Sequence, residues 1–133
     1  MHTTNYVNTL IEFSEDCPAE TGTVPPKSGT VAELQYRFLS EDPYRFTSDQ
    51  LLAAVTATRQ KRREAEWPDV MAELLAKPQA CLRSSPLVKT YGWCLHHDGK
   101  GRVALVAPQS EDHLRLRADP GVVKTRGMRS KRS

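Results

Sequence analysis

Residues 91–108 constrain the fold more than any other stretch. Two strand-like runs, "YGWCLHH" and "RVALVAP", flank "DGKG", and a Gly-rich connection this short joins antiparallel neighbours in a hairpin. The chain must build a sheet around that hairpin. One further strand is legible in "NYVNTLIEF", residues 5–13, where Val7, Thr9, Ile11 and Phe13 fall on one face at period two. Strands and helices do not alternate regularly, which argues against a parallel βαβ sheet.

The other periodic segments read as helices. Thr30 and Glu33 have the spacing of a capping box ahead of "VAELQYRFL". Leu34, Tyr36 and Phe38 alternate there as a strand would, but the cap and the Ala-Glu-Leu-Gln composition favour helix. "TSDQLLAAVTATRQKRREAE" opens on Thr47 or Ser48 as N-cap, and Asp49 suits the positive end of the helix dipole. Leu51, Leu52 and Val55 are its expected inward face. Trp67-Pro68 interrupts it, and "PDVMAELLAK" is a second helix that buries Met71, Leu74 and Leu75. Ser84 to Thr90 is a short helix ended by Gly92, and "SEDHLRLR" is a last helix with a Ser cap. Residues 14–29 form a connection longer than usual, hence mobile or functional.

The expected architecture is one α+β domain over residues 1–120. A small antiparallel sheet, the N-terminal strand plus the C-terminal hairpin, packs against several helices on one face. Residues 121–133 are expected to be a basic, flexible tail.

A chain of 133 residues suits one core. No apolar run approaches the roughly 18 residues that cross a membrane. "MHTTNYVNTL" lacks the basic-then-apolar pattern of a secretory signal, so a cytoplasmic, non-membrane protein is expected. Cys17, Cys81 and Cys94 are too few for a disulfide framework and read as free thiols. The formal charge of +3 misleads, because residues 124–133 hold five cations and no acid, which leaves residues 1–123 at −2.

"MHTTNY", "VPP", "LQYRFLSEDPYRFTSDQLL", "QACLRSSPLVKTYGW" and "RGMRSKR" together resemble a bacterial family of short proteins catalogued as a domain of unknown function. The resemblance spans most of the chain and implies no activity, substrate or cofactor. It does imply a small residue where this chain has Cys94, which argues against a role for that thiol.

Three chemistries compete in residues 83–97. Cys94 and His96 share a strand face, with His97 on the other, and Cys17, Cys81 or His113 would have to complete a metal site from afar. Structural zinc sites announce paired ligands, and no C-x-x-C exists here, so no metal site is assigned. A thiol–imidazole nucleophile would need closer contact than the roughly 6–7 Å between Cα atoms of same-face neighbours. Cys81, near Arg83, is the better thiol, but a packed free Cys is the commoner case, so no catalytic residue is assigned. The best-founded candidate is an anion site. If Ser85 caps a helix that begins at Pro86, free N–H groups join Arg83, Ser84, Ser85 and Lys89, with Tyr91, Trp93 and His96 alongside. The plain alternative is ordinary capping with a solvated Arg. Tyr44, Arg45 and Asp49 are further candidates for the border of such a cleft.

The expected function is a non-enzymatic binding module without a cofactor, for an anionic small molecule or a protein partner near residues 83–96. The alternatives are a thiol/histidine enzyme, or weak nucleic-acid contact through Arg59, Lys61, Arg62 and Arg63 with Lys124, Arg126, Arg129, Lys131 and Arg132. That last reading rests on charge without a recognition motif.

Overall fold

The computed structural model describes residues 2–129. Strands β1 (Thr9–Glu12), β2 (Cys94–His97), β3 (Val103–Val106) and β4 (Val123–Arg126) form one sheet in the order β3-β2-β1-β4. The hairpin forms as its sequence predicts. Asp98 N–H donates to the Arg102 carbonyl at 2.9 Å, and Asp98 Oδ1 accepts from the Lys100 and Arg102 N–H groups. Gly101, at φ 78°, takes the left-handed turn position. β1 pairs antiparallel with β2, Ile11 opposite Leu95. β1 is shorter than its apolar pattern suggests, because Asn8 at φ 48° turns the chain just before Thr9.

Five helices complete the α+β fold: α1 (Val31–Glu41), α2 (Ser48–Arg59), α3 (Trp67–Leu75), α4 (Pro86–Lys89) and α5 (Glu111–Ala118). Residues 31–41 are helix, as the cap favours. Thr30 Oγ1 accepts from Glu33 N–H at 3.3 Å, while the Glu33 carboxylate reaches one residue beyond the cap to Gly29 N–H at 2.9 Å. At α2, Thr47 and Gln50 form the reciprocal capping box. In α3 the fully buried residues are Val70 and Leu75, with Met71 and Leu74 half-buried.

Helices were expected on one face of the sheet, and both faces are covered. Ile11, Leu95 and Val103 pack into one cluster with Leu34 and Leu39 of α1, Leu51 of α2 and Leu87 of α4. Leu10, Cys94 and Val106 point the other way, onto Leu116 of α5 and Val122. The topology requires this. β3 and β4 are opposite edges, so the chain must cross the sheet between them, and α5 makes the crossing over the second face. The two central strands are accordingly covered on both sides.

The expected flexible tail is likewise corrected at residues 123–126. They run parallel to β1, from Val123 opposite Thr9 to Arg126 opposite Glu12. The segment escapes sequence reading because an edge strand need not bury its side chains, and Val123 is 61% exposed. Backbone pairing holds it instead. Gly127 N–H donates to the Glu12 carbonyl at 2.8 Å, and a Cβ at 127 would lie 2.6 Å from Ser14 Oγ, so only glycine fits. Residues 130–133 of the expected tail, with Lys131 and Arg132, lie outside the described residues.

The segment before β1 is clasped to α2. Asp49, buried in the first turn, accepts from Thr3 Oγ1 at 2.6 Å and from Thr4 N–H and Oγ1 at 2.7 Å each. Its own N–H donates to Asn5 Oδ1 at 2.9 Å. Among the described residues no helix is long and apolar enough to cross a membrane.

Candidate functional site

The residues singled out between 83 and 96 do not form one group. Ser85 caps α4 as predicted, its Oγ accepting from Leu87 N–H at 3.1 Å. It is buried, and it donates its proton to Gln35 Oε1 at 2.6 Å. Arg83 and Ser84 turn toward the C-terminal segment. Arg83 Nε donates to the Arg126 carbonyl at 2.7 Å, Met128 N–H to the Arg83 carbonyl at 2.7 Å, and Ser84 Oγ to Met128 Sδ at 2.9 Å. Lys89 lies in the last turn of α4, at the far end from the cap. The Tyr91 carbonyl accepts from Thr23 N–H, and Trp93 leans on Tyr36 with its Nε1 on the Thr23 carbonyl at 2.8 Å. These two pin the 14–29 connection. His96 points to the α5 side of the sheet and meets Tyr44 OH through Nδ1 at 2.8 Å.

The thiol–imidazole question has a definite geometry. Cys94 pairs with His113 of α5 rather than with His96, at 3.8 Å from Sγ to Nε2. Glu12 Oε1 lies 3.0 Å from the same Nε2, and Arg117 Nε lies 3.2 Å from that carboxylate oxygen. The other ring nitrogen, Nδ1, accepts from Gln109 N–H at 2.8 Å and so carries no proton. The ring proton therefore sits on Nε2 and is donated to Glu12. A nitrogen that already holds its proton cannot take one from the thiol. Burial pushes Cys94 up to about 11, so it is a packed thiol and not a nucleophile. Among the described residues no three His, Cys, Asp or Glu side chains are placed to hold a metal ion.

His97 faces the opposite side and is fully buried against Tyr6, ring centroids 5.3 Å apart. Neither ring nitrogen has a hydrogen-bond partner in good geometry. The Thr9 backbone across the strand pair weakly favours the charged form. Burial outweighs it and pulls the ring down to about 4.

Cys81 occupies different surroundings. Its Sγ accepts from Tyr6 OH at 3.1 Å, and burial together with that thiol raises Tyr6 to about 12. The sulfur borders a cleft of about 180 Å³ between the start of α1, the start of α2 and residues 80–86. Ser84, Ser85, Thr4 and Ser48 bring hydroxyls to it, and Leu52 and Val31 supply apolar wall. Gln35 stands at its threshold. Only 8% of Gln35 is exposed. Ser85 faces its carbonyl and donates to Oε1. That leaves the Gln35 NH₂ without an acceptor among the described residues. The amide nitrogen is not sealed from solvent, so water in the cleft can accept from it.

Val31, Gln35 and Leu52 also line a second hollow of about 300 Å³, and Arg59 joins this one to a third of about 290 Å³ beside Arg37 and Lys61. The first two share Val31, Gln35 and Leu52 and form a groove along α1 and α2, and the third meets them only at Arg59. A separate hollow of about 300 Å³ lies beside Phe46 and Trp67. There Arg45 reaches Asp42 and Glu64 at 3.2 and 2.9 Å, its guanidinium 4.7 Å over the Phe46 ring, and Gln50 belongs to the α2 cap.

The "RQKRR" run divides. Arg62 pairs with Glu66 and Glu73 at 3.0 and 3.1 Å, and Arg63 lies 3.9 Å from Glu66. Arg59 and Lys61 line the third hollow and have no acidic partner among the described residues. Lys124 and Arg126 lie on β4, where Lys124 Nζ donates to the Asp119 carbonyl, and Arg129 is exposed beyond it.

Residues 1–133 match a family of unknown function, DUF6157, end to end. The chain belongs to that family. The likeness read from "MHTTNY", "LQYRFLSEDPYRFTSDQLL" and "QACLRSSPLVKTYGW" is borne out, and three of its words meet at one place: Thr4, then Gln35 and Ser48, then Cys81, Leu82, Ser84 and Ser85 line the cleft. No curated protein and no solved structure matches the chain. Sequence reasoning flagged Ser84, Ser85 and Cys81 and missed Gln35 and Thr4. For Gln35 there was a signal, since a polar residue stands one turn beyond Val31 on the stripe that α1 buries.

Proposed function

We propose that this DUF6157 protein is a non-enzymatic binding module whose ligand, a small organic anion, seats in the cleft of Gln35 and Cys81. The observation that carries the reading is the Gln35 amide at the cleft, whose carbonyl is held by Ser85 and whose NH₂ has no acceptor among the described residues. The cleft is walled by hydroxyls, a thiol and apolar carbons, with no Asp, Glu or His among its described lining residues. A site without a general base favours binding over group transfer. Arg59, which lines the adjoining hollow, favours a negative ligand.

Cys81 makes the site testable. A panel of organic anions (straight-chain and aromatic carboxylates, nucleoside phosphates) is scored by protection from iodoacetamide, with Cys17 as the internal control in the same digest. A cleft ligand slows alkylation at Cys81 by about tenfold or more at saturation and leaves Cys17 unchanged. Protection is weakened in Gln35→Met, which keeps the volume and removes the amide. If no member of the panel separates Cys81 from Cys17, the cleft is not a site for organic anions.

A further inference from the structure

The two edges of the sheet are finished differently. At the β3 edge the chain covers its own backbone: the Val103 carbonyl accepts from Tyr44 N–H at 3.0 Å, and Val103 N–H donates to the Phe46 carbonyl at 2.8 Å. The β4 edge has no such cover. Val123 N–H donates to the Asn8 carbonyl at 2.7 Å and Gly127 N–H to the Glu12 carbonyl at 2.8 Å, so positions 123, 125 and 127 turn their backbone groups toward β1. Positions 124 and 126 turn theirs outward, and Arg83 Nε meets the Arg126 carbonyl on that outer side at 2.7 Å. The Lys124 N–H and carbonyl and the Arg126 N–H are left without a partner among the described residues.

The side chains along this edge carry one sign. Lys124 and Arg126 share the face of Leu10 and Glu12, Arg83 stands beside Arg126, and Arg129 follows Met128. None of these four cations pairs with a carboxylate among the described residues. Glu12, opposite Arg126, is engaged by His113 and Arg117, and the Asp119 carboxylate accepts from Gly121 N–H. Two exposed apolar side chains, Val123 at 61% and Met128 at 46%, bracket the strand. Open backbone groups, cations at alternate positions and apolar surface at both ends are what strand addition uses.

We propose that the outer edge of β4 takes an extended acidic segment of another protein as a fifth strand. Carboxylates at alternate positions of that segment face Lys124 and Arg126, and the apolar residues between them lie on the side of Val123 and Thr125. A second copy of this chain is the poorer occupant. Antiparallel pairing of β4 with itself about Thr125 sets Lys124 opposite Arg126 of the other copy, and like charges directly opposite are destabilising. A nucleic acid answers the cations but has no repeat of N–H and C=O groups to match the edge. Lys124, Arg126 and Arg129 do not line the Cys81 cleft, so this surface does not depend on what binds there.

The probe is fluorescein-labelled Ser-Val-Glu-Val-Glu-Val-Ser, titrated against the full chain by anisotropy at low ionic strength. Its scramble, Ser-Val-Glu-Glu-Val-Val-Ser, puts the carboxylates on opposite faces and is expected to bind about tenfold more weakly. The cationic counterpart, Ser-Val-Lys-Val-Lys-Val-Ser, is expected not to bind. In the double variant Lys124→Glu, Arg126→Glu, both exposed positions, the preference inverts. N-methylation of the two glutamates, and separately of the valines, divides strand addition from charge alone: one set abolishes binding and the other is tolerated, because alternate N–H groups face β4. Saturating peptide also slows hydrogen exchange at the Lys124 and Arg126 amides by about tenfold or more. Equal binding of the scramble, or an equal effect of the two N-methylated sets, overturns strand addition. Binding that survives the charge reversal, or no binding at millimolar peptide, overturns the assignment to this edge. An oligouridine that binds more tightly than the peptide and is lost in the same variant makes nucleic acid the occupant, and the proposal fails.

Discussion

Cys81 and Cys94 belong to opposite layers of the same sheet, and each has a polar side chain against its sulfur. Cys94 sits under α5, in contact with His113, with Glu12 and Arg117 completing a set in which each polar atom has its partner. Cys81 sits at the edge of the α1–α2 layer, where Tyr6 donates to it and the neighbouring Gln35 NH₂ has no protein acceptor among the described residues. The difference teaches what distinguishes a packed polar cluster from a receptive one. The residue types on the α5 side look more catalytic, yet the hydrogen-bond count closes there. On the other side the residue types look bland and the count stays open.

The widest separation is in thiol reactivity. At pH 8 Cys81 is expected to alkylate at least about 100-fold faster than Cys94, since the Cys94 thiolate is disfavoured by burial and reached only through opening of the fold. Equal rates, measured by mass spectrometry of the two peptides, would abolish the comparison. Packing separates the two layers next. Leu10→Ala, in the closed layer, should cost about 3–4 kcal/mol of unfolding free energy in urea, whereas Leu52→Ala on the groove floor should cost under about 1 kcal/mol.

Acid provides the third separation. His97 is lowered from 6.5 to about 4 in the folded chain, so between those values the unfolded chain binds more protons. Stability is therefore full above about pH 6.5 and declines as pH falls toward 4, by up to about 3 kcal/mol. His97→Phe should remove that slope and raise stability at pH 5, because a phenyl ring needs no hydrogen-bond partner. A variant with an unchanged acid slope would place its origin elsewhere. The smallest effect concerns the edge of the sheet. Arg83→Ala deletes one bond to the Arg126 carbonyl and should cost about 1 kcal/mol, seen as faster hydrogen exchange in β4 with β2 unaffected.

Much of the fold was legible. Thr30, Thr47, Ser85 and Ser110 each cap the helix their position announces, and "DGKG" turns the hairpin. These are interactions within four or five residues, which is the range that pattern reading covers. The parts that were not legible are long-range. β4 is held by backbone bonds to β1 and carries exposed side chains, so nothing in "VKTR" marks it as strand. Asp49 reads as a helix-dipole residue, and its partners Thr3 and Thr4 stand more than forty positions away. The candidate site divides the same way. Ser84, Ser85 and Cys81 were visible as a local cluster, whereas Gln35 joins them only once α1 is docked.

The pairing of β1 with β4 sets a timetable. Ser14, just past β1, bonds the Met128 carbonyl across 114 positions of sequence, and the bonds between the two strands span a similar separation. The antiparallel part of the sheet also waits, since β1 meets β2 only after the intervening helices have been made. During synthesis the first strand emerges with both edges bare; one is covered only when residues 94–97 have been made, and the other waits for residues 123–126. Such a topology folds slowly and gives a growing chain a long interval of stickiness, so its yield in the cell should depend on chaperone capacity more than its final stability would suggest.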